Sequence, residues 1–296
     1  MSNGFCPDEN NNLDLYSQFG SFFIFIIQAN FMFFTDKVIW ITGASSGIGA
    51  HLAFALAQEG AKLILSSRNE AELLRVKSQL SEMDQSRCLI LPLDVSDFER
   101  IPAAVERALK HYGYINILIN NAGVSQRALA KDTLLEVDQK IMAVNYFGAV
   151  ALTKAVLPIM ISQQFGQIVV ISSVMGKYGI PFRSAYCASK HALHGFFDSL
   201  RYEVFEENIK ITMICPGYVH TNVSVNALKG DGSLYNQMAE ATRNGLPPDE
   251  FAQIALKAIR KNRREVYVGQ KEVWAIYIRQ FFPRLFFRIT KNIGMR

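Results

Sequence analysis

Tyr186 and Lys190 stand four residues apart in Ser184–Glu207, a stretch whose apolar periodicity predicts a helix, so the two side chains share one helical face. A phenol left alone titrates near pH 10, roughly. An ammonium held nearby, with a second positive charge, favours the phenolate and lowers that value. Such a tyrosine acts as a general base toward an alcohol or as an acid toward a carbonyl. Ser173 follows the predicted strand Gln167–Ser172 and could hold the substrate oxygen while charge develops on it. Asn145 is a polar residue inside an otherwise apolar helical pattern and could bind a water that relays protons to Lys190. Taken singly these residues say little, because Tyr-x-x-x-Lys pairs are common on helix surfaces. The joint pattern informs, since each piece falls at its own strand end or helix.

Those residues need a frame, and the rest of the chain supplies one. Apolar, β-rich runs are predicted as strands over Lys37–Thr42, Lys62–Ser66, Cys88–Leu93, Ile115–Asn120, Gln167–Ser172, Lys210–Cys215 and Glu265–Val268. Helical patterns lie between them, over Gly47–Gln58, Glu70–Met83, Phe98–Tyr112, Leu134–Gln163, Ser184–Glu207 and Asp249–Lys261. This alternation predicts an α/β fold: a Rossmann-type, doubly wound parallel sheet of about seven strands with helices on both faces. The nearly continuous apolar character of the strands agrees, because both faces of such a sheet are covered. No repeat or linker interrupts residues 36–270, which read as one dinucleotide-binding catalytic domain. An irregular stretch at about 217–248, partly apolar through Val223, Val225, Leu228, Leu234 and Met238, reads as a mobile substrate flap.

Directly after the first strand comes Thr42-Gly43-Ala44-Ser45-Ser46-Gly47-Ile48-Gly49. A tight glycine turn leading into a helix presents backbone N–H groups and a positive helix end to a phosphate. Gly43 can take the sharp turn, while Gly47 and Gly49 remove side chains where the pyrophosphate and the strand come close. After the second strand the chain reads Ser66-Ser67-Arg68-Asn69. No acidic residue is present to bond the ribose hydroxyls, and Arg68 can pair with a 2′-phosphate, so NADP(H) is favoured over NAD(H). Asp94, beside Val95, could accept from the adenine amino group, and the small residues of Asn121-Ala122-Gly123 would admit the cofactor ribose; both could equally be plain turn chemistry.

With these pieces in place, the chain resembles a short-chain dehydrogenase/reductase of the compact, single-domain type. The matching residues are Thr42–Gly49, Asn120–Gly123, Asn145, Ser173, Tyr186-x-x-x-Lys190 and Pro216-Gly217 followed by Thr221, and they span about residues 36–270. The resemblance implies a catalytic tetrad of Asn145, Ser173, Tyr186 and Lys190. It implies a cofactor site of Gly43, Ser45, Ser46, Gly47, Ile48, Gly49, Ser67, Arg68, Asp94, Val95, Asn121, Ala122 and Gly123, with Tyr186 and Lys190. Lys190 would bond the nicotinamide ribose, and Pro216, Gly217, Val219 and Thr221 would meet the carboxamide. The stretch Gly176–Pro181 and the cationic tail are similar to the dehydrogenase/reductase branch with hydroxysteroid-type and membrane-associated members. The family commonly pairs its two long helices between subunits, which implies a homodimer or homotetramer.

The chain has 296 residues, half of them hydrophobic, and a formal charge of +5. No basic cluster is interleaved with a nucleic-acid-binding pattern, so nucleic acid is not expected as a partner. Cys6, Cys88, Cys187 and Cys215 form no Cys-x-x-Cys pair, which suits free thiols in a reducing compartment and a cytoplasmic location. His191 and His194 share a helix face but lack a third ligand, so no metal is expected. Residues 1–35 read as an extension outside the fold: a polar leader, then the apolar run Phe22–Phe34, shorter than the roughly 20 residues a spanning helix needs. Met32 offers an alternative start; a short membrane-dipping anchor is the competing reading. Residues 271–296 read as an amphipathic, cationic C-terminal helix with Phe282, Leu285, Phe286, Ile289 and Ile293 on one face and Arg284, Arg288 and Lys291 on another. That pattern fits an anionic membrane surface or a helix packed on its own domain.

Overall fold

The structure, a computed structural model, describes residues 33–293; Cys6 and all but the last two residues of the apolar run Phe22–Phe34 lie outside the described residues. Seven strands alternate with helices in chain order. They are β1 (Val38–Thr42), β2 (Lys62–Ser66), β3 (Cys88–Ile90), β4 (Ile117–Asn120), β5 (Gly166–Ile171), β6 (Ile209–Pro216) and β7 (Glu265–Val268). The helices are α1 (Gly47–Gln58), α2 (Glu70–Ser78), α3 (Glu82–Ser86), α4 (Ile101–Tyr112), α5 (Leu135–Met142), α6 (Gly148–Ser162), α7 (Ser184–Glu203), α8 (Glu240–Arg243), α9 (Pro248–Arg260), α10 (Trp274–Phe281) and α11 (Pro283–Thr290).

All seven strands pair in parallel, in the order β3-β2-β1-β4-β5-β6-β7. Successive side chains of a strand point to opposite faces, and the two cores follow from that. Ile39, Ile41, Leu63, Leu65, Ile117 and Ile119 pack under α1 and α9. Val38, Trp40, Ile64, Leu118, Ile168 and Val170 pack under α4, α6 and α7. Trp40 is fully buried and its indole N–H donates to Ser66 Oγ at 2.8 Å, so the large ring brings no unsatisfied donor into the core.

Several boundaries differ from expectation for identifiable reasons. β3 ends at Ile90 instead of Leu93, although Leu91 and Leu93 still donate to the carbonyls of Leu65 and Ser67; Pro92 is tolerated between them because its nitrogen faces the open edge of the sheet. The helix expected over Glu70–Met83 is two, since Ser81 starts a new one by accepting from Asp84 N. The helix expected over Leu134–Gln163 contains a π-helical turn at Ala143–Phe147. Phe34 is fully buried with the first core, so the fold begins before the expected boundary at residue 36.

The single C-terminal helix is also two helices. Phe282 is held out of helical geometry before Pro283, as the ring of a following proline requires. Phe286 is the buried member of the expected apolar face, whereas Phe282, Leu285, Ile289 and Ile293 are exposed. Among the described residues, one helical stretch, Leu135–Ser162, is long and apolar enough to cross a membrane; Val144, Leu152, Val156 and Met160 within it belong to the second core.

Candidate active site

The strand order reverses direction at β1, which pairs with β2 on one side and β4 on the other, and a crevice opens beyond their C-terminal ends. Local hydrogen bonds tie its two lips together. Thr42 Oγ1 accepts from the N–H groups of Asn121 and Ala122 at 3.0 and 3.1 Å. Asn121 Nδ2 donates to the carbonyls of Thr42 and Gly43 at 2.8 and 3.1 Å. Gly43 has φ of +64°, and a Cβ there would stand 2.9 Å from Ala122 Cα. A Cβ on Gly49 would meet Gly43 O at 2.3 Å, so α1 can enter the turn only without one. The first turn of α1 has no acidic residue, and its leading residue, Ser46, makes no side-chain cap, which leaves the N–H groups directed at the crevice.

A cavity of about 520 Å³ runs from this turn to the ends of β5 and β6. Of the sequence-predicted site residues, all but Gly49 and Asn145 line it. Arg68 is exposed at one end and enters no ion pair among the described residues. Asp94 Oδ1 accepts from the backbone N and hydroxyl of Ser96 at 2.9 and 2.6 Å, so it does local turn work as well as facing the cavity. Val223, Leu228 and Leu234 of the 217–248 segment contribute apolar wall. That segment is anchored by bridges Gln126–Leu228 and Val219–Leu246, and its one short helix is α8.

At the other end, Ser173 follows β5 in extended backbone. Its hydroxyl accepts from Met175 N at 3.1 Å and donates to Pro216 O at 3.3 Å, which fixes it at the cavity wall. Tyr186 comes from the first turn of α7, whose leading N–H groups are covered by Gln126 Oε1, an acceptor from Ala185 N at 2.8 Å. One turn later, Lys190 Nζ donates to Ile171 O at 2.9 Å and lies 5.8 Å from the Tyr186 ring centroid. Burial pulls the Lys190 ammonium down to about 8. The phenol of Tyr186 is pushed above its ordinary value by burial, against the pull of the Ser173 hydroxyl and, more weakly, the Arg183 guanidinium. The expectation that Lys190 lowers the phenol therefore does not hold for the protein alone: the ammonium is turned to a backbone carbonyl, and desolvation dominates.

Asn145 departs from expectation too. It lies in the π-turn, and its amide is committed to the chain: Nδ2 donates to Val124 O and Ser189 Oγ, each at 2.9 Å, and Oδ1 accepts from Val124 N at 2.8 Å. Its side chain thereby pins the loop after β4 to α7 rather than facing the cavity. Behind Ser173, His194 Nε2 sits 3.0 Å from Ser172 Oγ, and burial holds its imidazole down at about 4. His194, Cys215 and Glu265 bring possible ligand atoms within 4.8 Å of one another. Lys177 Nζ lies 2.7 Å from the Glu265 carboxylate and already supplies the positive charge there.

The family model described as short chain dehydrogenase matches residues 37–231. The chain belongs to the short-chain dehydrogenase/reductase family. It is 46% identical over 270 residues to the dehydrogenase/reductase SDR family protein 7-like of Anopheles gambiae, covering 90% of this chain and 85% of that one. It is 45% identical over 261 residues to the dehydrogenase/reductase SDR family member 7B of Mus musculus, covering 87% and 81%. Among solved structures, a short-chain dehydrogenase/reductase of Burkholderia phymatum, in complex with NAD, superposes with a TM-score of 0.75 at 24% identity, over 85% of this chain and 95% of that chain. A short-chain dehydrogenase of Streptomyces avermitilis superposes with a TM-score of 0.74 at 26% identity, over 88% and 98%.

The chain is thus a member of an oxidoreductase family, and its crevice fits the dinucleotide such a family employs. Gly43 and Gly47, both at positive φ, line it, open N–H groups face it, and Asp94 is the one acidic residue among its lining residues. Sequence reading missed Ser125, Lys140 and Ser172 on the wall and Arg183 beside it. No pattern marks them: Ser125 sits in a loop, Lys140 is one polar residue among several on α5, and Ser172 and Arg183 fall at the end of β5 and just before α7.

Proposed function

We propose that this short-chain dehydrogenase/reductase uses NADP(H) to interconvert a carbonyl and an alcohol on a lipophilic substrate, with Tyr186 as general acid/base. The observation that carries the reading is the convergence of Tyr186, Ser173 and Lys190 with the glycine turn on the walls of one cavity. The bound cofactor supplies or accepts the hydride at its nicotinamide. The N–H groups of Ser46–Ile48 receive the pyrophosphate, and Ser67 and Arg68 the 2′-phosphate. Lys190 holds the ribose, and Pro216–Thr221 the carboxamide. Ser173 orients the substrate oxygen, and Tyr186 gives it a proton in reduction or takes one in oxidation. A phenol raised by burial is protonated at neutral pH, which suits reduction. Val223, Leu228 and Leu234 support an apolar substrate.

The reading extends to the surroundings of the enzyme. Phe281, Phe282, Leu285 and Phe287 are exposed beside Arg284 and Arg288, which supports peripheral contact with an anionic membrane. Leu135, Phe147 and Tyr202, exposed along the two long helical stretches, support pairing of copies in a homodimer or homotetramer. Tyr186→Phe is expected to lower turnover of lipophilic ketones and aldehydes with NADPH by at least about 100-fold while NADPH still binds. Retained turnover in that variant overturns the assignment.

A further inference from the structure

Arg183 is 7% exposed, yet it enters no ion pair among the described residues. Its Nε is buried without a partner, and its Nη1 donates to the hydroxyl of Ser125. Arg201 and Arg260 also have a buried, unpartnered Nε, but their guanidinium groups are paired with Asp198 and Glu59. A buried charge without a counter-ion costs several kcal/mol, roughly, and natural chains pair such groups. Here the surroundings add positive charge. Arg127 is half-buried and likewise enters no ion pair among the described residues, and its guanidinium lies 5.5 Å from the Phe182 ring centroid and 5.7 Å from that of Tyr235. Burial pulls the Arg183 group below its ordinary value, and Arg127 pulls it further.

The position of this charge matters. Ser125, its hydrogen-bond partner, is a residue of the cavity wall, and Arg183 immediately precedes α7, three residues before Tyr186, whose phenol its charge influences. Arg68 and the glycine turn stand at the cofactor end of the same cavity; Arg183 lies behind its wall at the other end and reaches that wall through Ser125.

We propose that Arg183, backed by Arg127, binds an oxyanion of the substrate, a carboxylate or a phosphate. The molecule turned over then carries an acidic group about one helical turn, roughly 5–6 Å, from its carbonyl, in addition to an apolar part. This inference rests on the carbonyl–alcohol reading of the cavity. Its test is binding to the NADP⁺-loaded enzyme, where a ketone cannot be reduced. The probes are 5-oxodecanoate against its methyl ester, and 5-oxodecyl phosphate against 5-oxodecan-1-ol, titrated calorimetrically.

At least one anionic probe is expected to bind about tenfold or more tighter than its neutral partner, and the better of the two identifies carboxylate or phosphate. Arg183→Gln is expected to bring that ratio close to one, Arg183→Lys to keep part of it, and Arg127→Gln to lower it about threefold. NADPH fluorescence confirms that each variant is folded. Neutral probes bound as tightly as anionic ones by the unmodified enzyme, or a ratio that survives in folded Arg183→Gln and Arg127→Gln, overturns the inference. Turnover with NADPH is read separately: anion-selective binding without turnover keeps the oxyanion site and removes the carbonyl-reductase reading.

Discussion

Lys190 is 4% exposed, and its ammonium donates to a single carbonyl, that of Ile171. Burial takes its pKa from 10.5 to about 8. Between those values the unfolded chain holds more protons than the folded one, so this residue's contribution to stability rises with pH across the window. Below about pH 8 the contribution is a constant penalty of about 3 kcal/mol, and about 2 kcal/mol of it is relieved between pH 7.5 and 9.5. Lys190→Met removes the titration while keeping the length of the side chain. The cofactor-free variant is expected to be more stable than the parent by about 1–3 kcal/mol at pH 7.5, the lower end allowing for the lost hydrogen bond. Its advantage should shrink by about 2 kcal/mol at pH 9.5, while turnover is lost. Urea unfolding of both proteins at the two pH values measures this. Cys88 and Tyr112, each raised to about 12 by burial, titrate alike in both and cancel in the difference. An advantage that is the same at both pH values, or a parent more stable at pH 7.5, refutes the idea that the amine is held there at a cost.

Further outcomes follow from the crevice and the tail. Gly49→Ala sets a Cβ against backbone at 2.3 Å and should cost about 1–3 kcal/mol, with NADPH affinity reduced; Gly179→Ala, with nothing within 4 Å, should change stability by less than about 0.5 kcal/mol in the same urea assay. Ser67→Asp with Arg68→Ala should lower the ratio of NADP(H) to NAD(H) affinity by at least about tenfold, and an unchanged ratio in fluorescence titration counts against the 2′-phosphate assignment. Phe281→Ser with Phe282→Ser should reduce flotation on vesicles containing anionic lipid, and equal flotation counts against membrane contact through the tail.

The sheet was readable because its strands are buried on both faces, so each appears as an apolar run ending in a polar or glycine turn; Lys62–Ser66 and Glu265–Val268 coincide with the observed strands. The face of α7 that carries Tyr186 and Lys190 was readable because four-residue spacing survives into three dimensions. The π-turn was not. It inserts a residue into a helix without altering its composition, so nothing in Ala143–Phe147 announces that Asn145 turns toward Val124. The charge balance of the site was equally hidden. The unpaired state of Arg183 depends on which carboxylates fail to reach it, and spacing along a chain carries no record of absences.

The two C-terminal helices face opposite ways at once. Outward they offer Trp274, Phe281 and Phe287 to the surroundings; inward Ile276 and Phe286 press on Tyr178, within a cluster whose edge includes Tyr186. Whatever grips the outer side therefore leans on the apolar cluster against which Tyr186 is packed, so the tail and that side chain share one support.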